Sequence, residues 1–156
     1  MVIHLLSGPI RSGKTTRLRR WAAGRPDVAG LLMPTDAHGR RYFLDMATGL
    51  QWPASARPGQ WPVVSIGRFQ FAPAAFGWAN AALSGAAEAP PAWLVVDEIG
   101  PLELRGAGLA PALRQLLEAE TRPQHLVLVV RAALVEQVMQ HFGLARWPVV
   151  PFREQR

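Results

Sequence analysis

The sequence predicts an α/β three-layer sandwich, in which a mostly parallel central sheet is covered by helices and a small antiparallel addition lies around residues 40–71. Three observations carry this expectation. Short, continuous apolar runs alternate with helix-forming segments, the pattern of parallel strands buried on both faces. The first run leads straight into a glycine-rich turn and a helix, GPIRSGKTT at residues 8–16. The strongest run, WLVV, ends in two adjacent acids, Asp97 and Glu98. With 156 residues, 49% of them hydrophobic, the chain is long enough to bury one core, and residues 1–156 are expected to form a single domain.

The elements follow in order. Residues 2–6 form the first strand. The helix after the glycine-rich turn covers residues 14–23 and stops at Gly24, with Pro26 just beyond, a common helix exit. Residues 28–33 are a second buried strand, ended by Pro34. RRYFLDM, the Pro/Gly-rich stretch at 53–62 and VVSIGRFQF read as short strands joined by turns. A helix is expected over 76–83, with Pro73 in its first turn, and Gly85 and Pro90-Pro91 separate it from the strand at 93–96. A helix at 109–119 precedes the strand at 126–130. The last helix covers 134–142, and an edge strand at 147–152 carries Pro148 and Pro151.

Of seventeen basic side chains only one is lysine, Lys14, and it lies inside GPIRSGKTT. A chain this biased to arginine keeps a lysine where a compact ammonium, not a planar fork, is required. The segment fits the P-loop (Walker A) pattern G-x-x-x-x-G-K-[ST]. Gly8 and Gly13 let the backbone curl so that the N–H groups of Gly8, Pro9, Ile10, Arg11, Ser12, Gly13, Lys14, Thr15 and Thr16, proline excepted, can line one phosphate-sized concavity. Lys14 is the candidate for the β- and γ-phosphates, and Thr15 for Mg²⁺ through its hydroxyl. The helix opening at Lys14 adds a field that favours an anion.

WLVVDEIGPLEL supplies the second half of such a site. Asp97 fits Walker B, a carboxylate that helps Thr15 hold Mg²⁺. Glu98 is the candidate base for a water attacking the γ-phosphate. Arg131 follows the strand at 126–130 directly and should emerge at the same sheet edge, where a cation can stabilise charge on the γ-phosphate. An equal alternative for Arg131 is capping of the strand or simple pairing with a surface acid.

Composition removes several classes. No cysteine is present, so disulfides, thiol nucleophiles and cysteine-based metal sites are excluded. His4, His38, His125 and His141 lack ligand spacing; no structural metal is expected, and His4 reads as a core residue. The apolar runs are too short to cross a bilayer and no leader pattern opens the chain, so a cytoplasmic protein without membrane contact is expected. Residues 1–78 carry ten basic and three acidic groups (+7), residues 79–156 seven and eight (−1). A bound nucleoside triphosphate accounts for part of that field. Arg17, Arg19, Arg20 and Arg25 could serve a nucleic acid, but a solvated arginine face is the favoured reading. The six tryptophans read as packing residues.

GPIRSGKTT, the second strand followed by Thr35, IGRFQF at 66–71 and above all DEIGPLEL at 97–104 resemble the THEP1-type nucleoside-triphosphatases, small P-loop NTPases of the RecA-like group. The resemblance implies a P-loop NTPase sandwich and slow Mg²⁺-dependent hydrolysis of ATP, GTP and other triphosphates to diphosphates. Glu103 matches the family's second acid and is as readily structural as catalytic. Where the family shows Thr-x-Glu-Val-Arg, this chain reads Thr35, Asp36, Ala37, His38, Gly39, Arg40, so that acid and arginine do not carry over. Arg40, Arg41 or a neighbouring subunit are the alternatives for the arginine. Competing functions are a small-molecule or nucleotide kinase and a nucleotide-gated switch with a nucleic-acid or protein partner. Base preference and oligomeric state are not encoded in any motif.

Overall fold

A computed structural model describes residues 1–154. Strands β1 (Val2–Gly8), β2 (Val28–Leu32), β7 (Trp93–Ile99), β8 (His125–Arg131) and β9 (Val149–Pro151) pair in parallel. Strands β3 (Tyr42–Asp45) and β4 (Gln51–Pro53) extend the same sheet antiparallel at the β2 edge, giving the order β4-β3-β2-β7-β8-β1-β9. Strands β5 (Val64–Ile66) and β6 (Phe69–Phe71) form a separate hairpin. The antiparallel addition expected at 40–71 is therefore split in two, half of it sheet edge and half of it a separate hairpin bridged to Ser55 through Phe71.

Alternation along the central strands divides the core. Leu94, Val96, Leu126, Leu128 and Val130 face the larger core, shared with helices α2 (Pro73–Glu88), α4 (Ala110–Glu118) and α5 (Val135–His141). Val95, Val127 and Val129 face the opposite way, onto Leu18 and Trp21 of helix α1 (Lys14–Ala22) and onto Phe152. A period of two with both faces apolar is what a covered parallel strand requires. Gly30 in β2 has φ +128°, and a Cβ there would lie 2.0 Å from the Val95 carbonyl oxygen, so β2 can approach β7 only with glycine at this point.

Several boundaries move. β1 continues to Gly8 and β7 to Ile99, so both strands run to the edge of the phosphate loop and the acid pair. Helix α2 spans sixteen residues and passes through Gly85, expected to lie outside it. A Cβ at Gly85 would meet nothing within 4 Å, and the alanine-rich flanks outweigh the roughly 1 kcal/mol that a helical glycine costs. The final helix is α5 preceded by a 3₁₀ turn at Ala132–Leu134, and β9 is shorter than its expected range. One short helix, α3 (Pro101–Leu104), was not expected. Among the described residues no helix is long and apolar enough to cross a membrane.

Candidate nucleotide site

β1 ends at Gly8, and the chain then turns through two left-handed residues, Arg11 (φ +58°) and Gly13 (φ +79°), before α1 begins at Lys14. Room at Gly8 is limited: a Cβ there would lie 3.1 Å from Ser12 Oγ. The Lys14 ammonium lies in the curl, donating to the carbonyls of Pro9 (2.6 Å) and Gly8 (3.3 Å) and to Ser12 Oγ (3.2 Å). Arg11, Ser12, Gly13, Lys14, Thr15 and Thr16 form one wall of an open cleft of about 960 Å³, mouth included; Arg19, Met33, Pro34, Thr35, Arg41 and Glu98 form the rest.

Asp97 is 1% exposed. Its Oδ2 accepts from Thr15 Oγ1 at 2.7 Å and from the Met33 backbone N–H at 3.0 Å. Among the described residues its buried Oδ1 has no partner. Burial, reinforced by the adjacent Glu98 charge, pushes the carboxyl up to about 6; the bonds from Met33 and Thr15 oppose the shift. A hydroxyl and a carboxylate side by side, with one carboxylate oxygen unspent, suit Mg²⁺, which is bound through one or two protein oxygens together with phosphates and water.

Glu98 owes its direction to a bulge. β7 pairs Val96 with Leu128 and then Ile99 with Val130, so Asp97 and Glu98 together oppose one residue of β8. Glu98 takes φ +63°, a region that costs a non-glycine residue roughly 1–2 kcal/mol. Such bulges re-aim side chains at strand ends, and here the carboxylate turns into the cleft beside Arg41, Nη1 to Oε1 3.4 Å.

Arg41 is held by a bridge between Thr35 and Arg41 and by its N–H bond to Ser55 Oγ (2.9 Å). Its guanidinium lies 4.9 Å from the Phe69 ring centre, and its Nη1 points at Met33 Sδ (3.6 Å). Arg40, by contrast, is exposed, and its N–H is spent on Asp36. Of the two alternatives, then, Arg41 is the one beside Glu98. Nothing local in the sequence distinguishes them; the strand phase does, because Arg41 is one residue from the start of β3.

β8 lies between β1 and β7, with Arg131 in register with Gly8. The Arg131 side chain does not line the P-loop cleft. It lines a second cavity, on the other side of Glu98 and Arg41. Glu103 does not line the P-loop cleft either: at 3% exposure it accepts from the N–H groups of Gly100 (2.9 Å) and Leu109 (3.0 Å), and burial raises its pKa. Gly108 (φ +59°) is part of this clamp, since a Cβ there would lie 2.2 Å from Glu103 Oε1. On α1, Arg17 pairs with Glu154 at 2.7 Å and Arg25 with Asp27 at 2.8 Å while stacking on Trp21, so two of the four clustered arginines are engaged within the chain.

No family model matches the sequence, and no curated protein matches it. Solved structures do. A human cancer-related nucleoside triphosphatase superposes with TM-score 0.67 at 22% identity, over 99% of this chain and 90% of that one. THEP1 from the hyperthermophile Aquifex aeolicus superposes with TM-score 0.71 at 16% identity, over 97% of this chain and 88% of that one. The chain has the fold of the P-loop NTPases.

Proposed function

We propose that this chain is a Mg²⁺-dependent nucleoside-triphosphatase of the THEP1 type, cytoplasmic, converting ATP or GTP to the diphosphate and phosphate. One observation carries the reading most directly: Thr15 and Asp97, 82 positions apart, meet at 2.7 Å where a P-loop and a Walker B acid must meet. Lys14 and the loop N–H groups bind the phosphates, and Thr15 and Asp97 would hold Mg²⁺, which supplies charge neutralisation when bound. Glu98 orients a water and accepts its proton as the water oxygen bonds to the γ-phosphorus and the bond to the bridging oxygen breaks. Arg41, which lines the P-loop cleft beside Glu98, is the cation placed to meet charge developing on the transferred phosphoryl group, and Arg131 acts from the adjoining cavity on the far side of that pair. The solved human nucleoside triphosphatase and the solved THEP1, both of the same fold, support the reading.

Free-phosphate release with each nucleoside triphosphate, with and without Mg²⁺, tests it. Glu98→Gln should retain triphosphate binding and lower turnover about 10²-fold or more, the range for loss of a general base. Metal-independent release, or a Glu98→Gln variant at wild-type rate, would remove the assignment.

A further inference from the structure

The second cavity has mainly apolar walls, with Arg41, Glu98, Glu103 and Arg131 as its charged lining. Its free space, counted out through the open mouth, is about 490 Å³. Phe69, Phe71 and Phe76 give it aromatic walls, and Ile66 from the β5–β6 hairpin closes one side. Met33, Arg41 and Glu98 line both this cavity and the P-loop cleft. The Glu98–Arg41 pair therefore stands between the two compartments, the P-loop cleft and the cavity with aromatic walls.

We infer that this cavity is the binding site of a second substrate, a small planar-ring alcohol bearing an anionic or carbonyl group, whose hydroxyl receives the γ-phosphoryl group. The inference rests on the nucleotide reading above for the phosphoryl donor. The ring stacks among Phe69, Phe71 and Phe76. Arg131, which makes no ion pair among the described residues, faces the same cavity and offers its guanidinium to the acceptor group. Glu103 also borders the cavity, but its carboxylate is occupied by the Gly100 and Leu109 N–H groups and adds no free acceptor. The hydroxyl points at the Glu98 boundary. Its oxygen bonds to the γ-phosphorus, the bond to the β–γ bridging oxygen breaks, and Glu98 takes the hydroxyl proton; the products are a phosphomonoester and the nucleoside diphosphate. With no alcohol bound, water occupies the same position and the reaction is hydrolysis.

The test has a binding arm and a transfer arm, both on the full chain. Saturation-transfer NMR without nucleotide, using the common ribonucleosides and meta-hydroxymethylbenzoate as probes, should show ring-proton saturation for at least one probe. Ile66→Trp, which fills the cavity from the hairpin, and Phe69→Leu, which removes one ring, should each weaken that binding at least about tenfold. No saturation with any probe, or a signal that survives both variants, overturns the site. With Mg-ATP added, phosphorus NMR should show a phosphomonoester, and ADP should exceed free phosphate. ADP matched one-to-one by phosphate while a probe is bound overturns the transfer step. A fluorescent triphosphate titrated in parallel separates the two readings: if it fails to bind while a probe binds, the nucleotide assignment fails and the ring pocket stands.

Discussion

Replacing Glu103 with glutamine separates a structural acid from a catalytic one. The carboxylate accepts one bond from Gly100 N–H and one from Leu109 N–H, both buried, and so ties the start of α3 to the entry of α4. An amide has one oxygen and one NH₂. Whichever way it turns, the NH₂ faces a backbone donor, and one charge-assisted bond worth roughly 1.5–3 kcal/mol is lost. Two opposed donors are then left buried, at a further cost of about 1–3 kcal/mol. The glutamine recovers part of this because no charge has to be buried, the effect that already raises the Glu103 pKa. The net expectation is a loss of about 2–4 kcal/mol, or a melting temperature lower by roughly 5–15 °C for a domain of this size. Thermal and urea unfolding followed by circular dichroism would measure it, with phosphate release recorded on the same samples below the transition. A melting temperature within about 2 °C of wild type would refute the clamp. Unchanged stability with turnover as low as in Glu98→Gln would place Glu103 in the chemistry instead.

Lys14→Arg should abolish triphosphate binding nearly as completely as Lys14→Ala, because the ammonium lies within 3.3 Å of the loop's own Gly8 and Pro9 carbonyls and a planar fork cannot fit there; near-normal binding by fluorescence titration would contradict this. Arg131→Ala and Arg41→Ala should both slow phosphate release with little change in triphosphate affinity, and Arg41→Ala should cost more because only Arg41 also lines the P-loop cleft; equal affinity losses would show ground-state binding. Acid should destabilise the strand-start cluster in which His4 Nε2 and His125 Nδ1 lie 3.1 Å apart. Burial lowers both pKa values below the ordinary histidine range, so stability is full above the unfolded value of about 6.5 and is lost as pH falls through the depressed folded values. The urea midpoint of wild type should therefore fall more between pH 7 and 5 than that of His4→Gln, and parallel curves would discount the pair; the Asp97 carboxyl, raised to about 6, shifts both proteins alike.

The helix and strand sequence could be read because each apolar run announces a covered strand and Gly24, Pro26 and Pro34 punctuate what lies between. The two acids and the loop lysine carry their own signatures in residue type and order. Less was legible wherever conformation, and not composition, decides. Glu98 turns only because β7 bulges, and glutamate gives no hint of a positive φ. Arg41 and Arg40 are chemically identical neighbours, separated by strand phase alone. Residues 64–71 look like strands of the main sheet, yet they form a hairpin joined to the rest of the chain by one bridge, Ser55 to Phe71, and their apolar side chains pack on the larger core. Gly85 reads as a helix stop but lies where nothing crowds it, so propensity around it prevails.

The left-handed conformation of Glu98 also bears on how such a protein can be improved. At this one position the backbone prefers glycine and the chemistry prefers an acid. A selection that rewards heat resistance alone would drift towards Glu98→Gly, gaining relief of roughly 1–2 kcal/mol of torsional strain, less the extra freedom glycine gives the unfolded chain. The same drift would discard the proton acceptor. Thermal screening of variants would thus enrich inactive protein, and residue 98 is the position to hold fixed when the remainder of the chain is optimised.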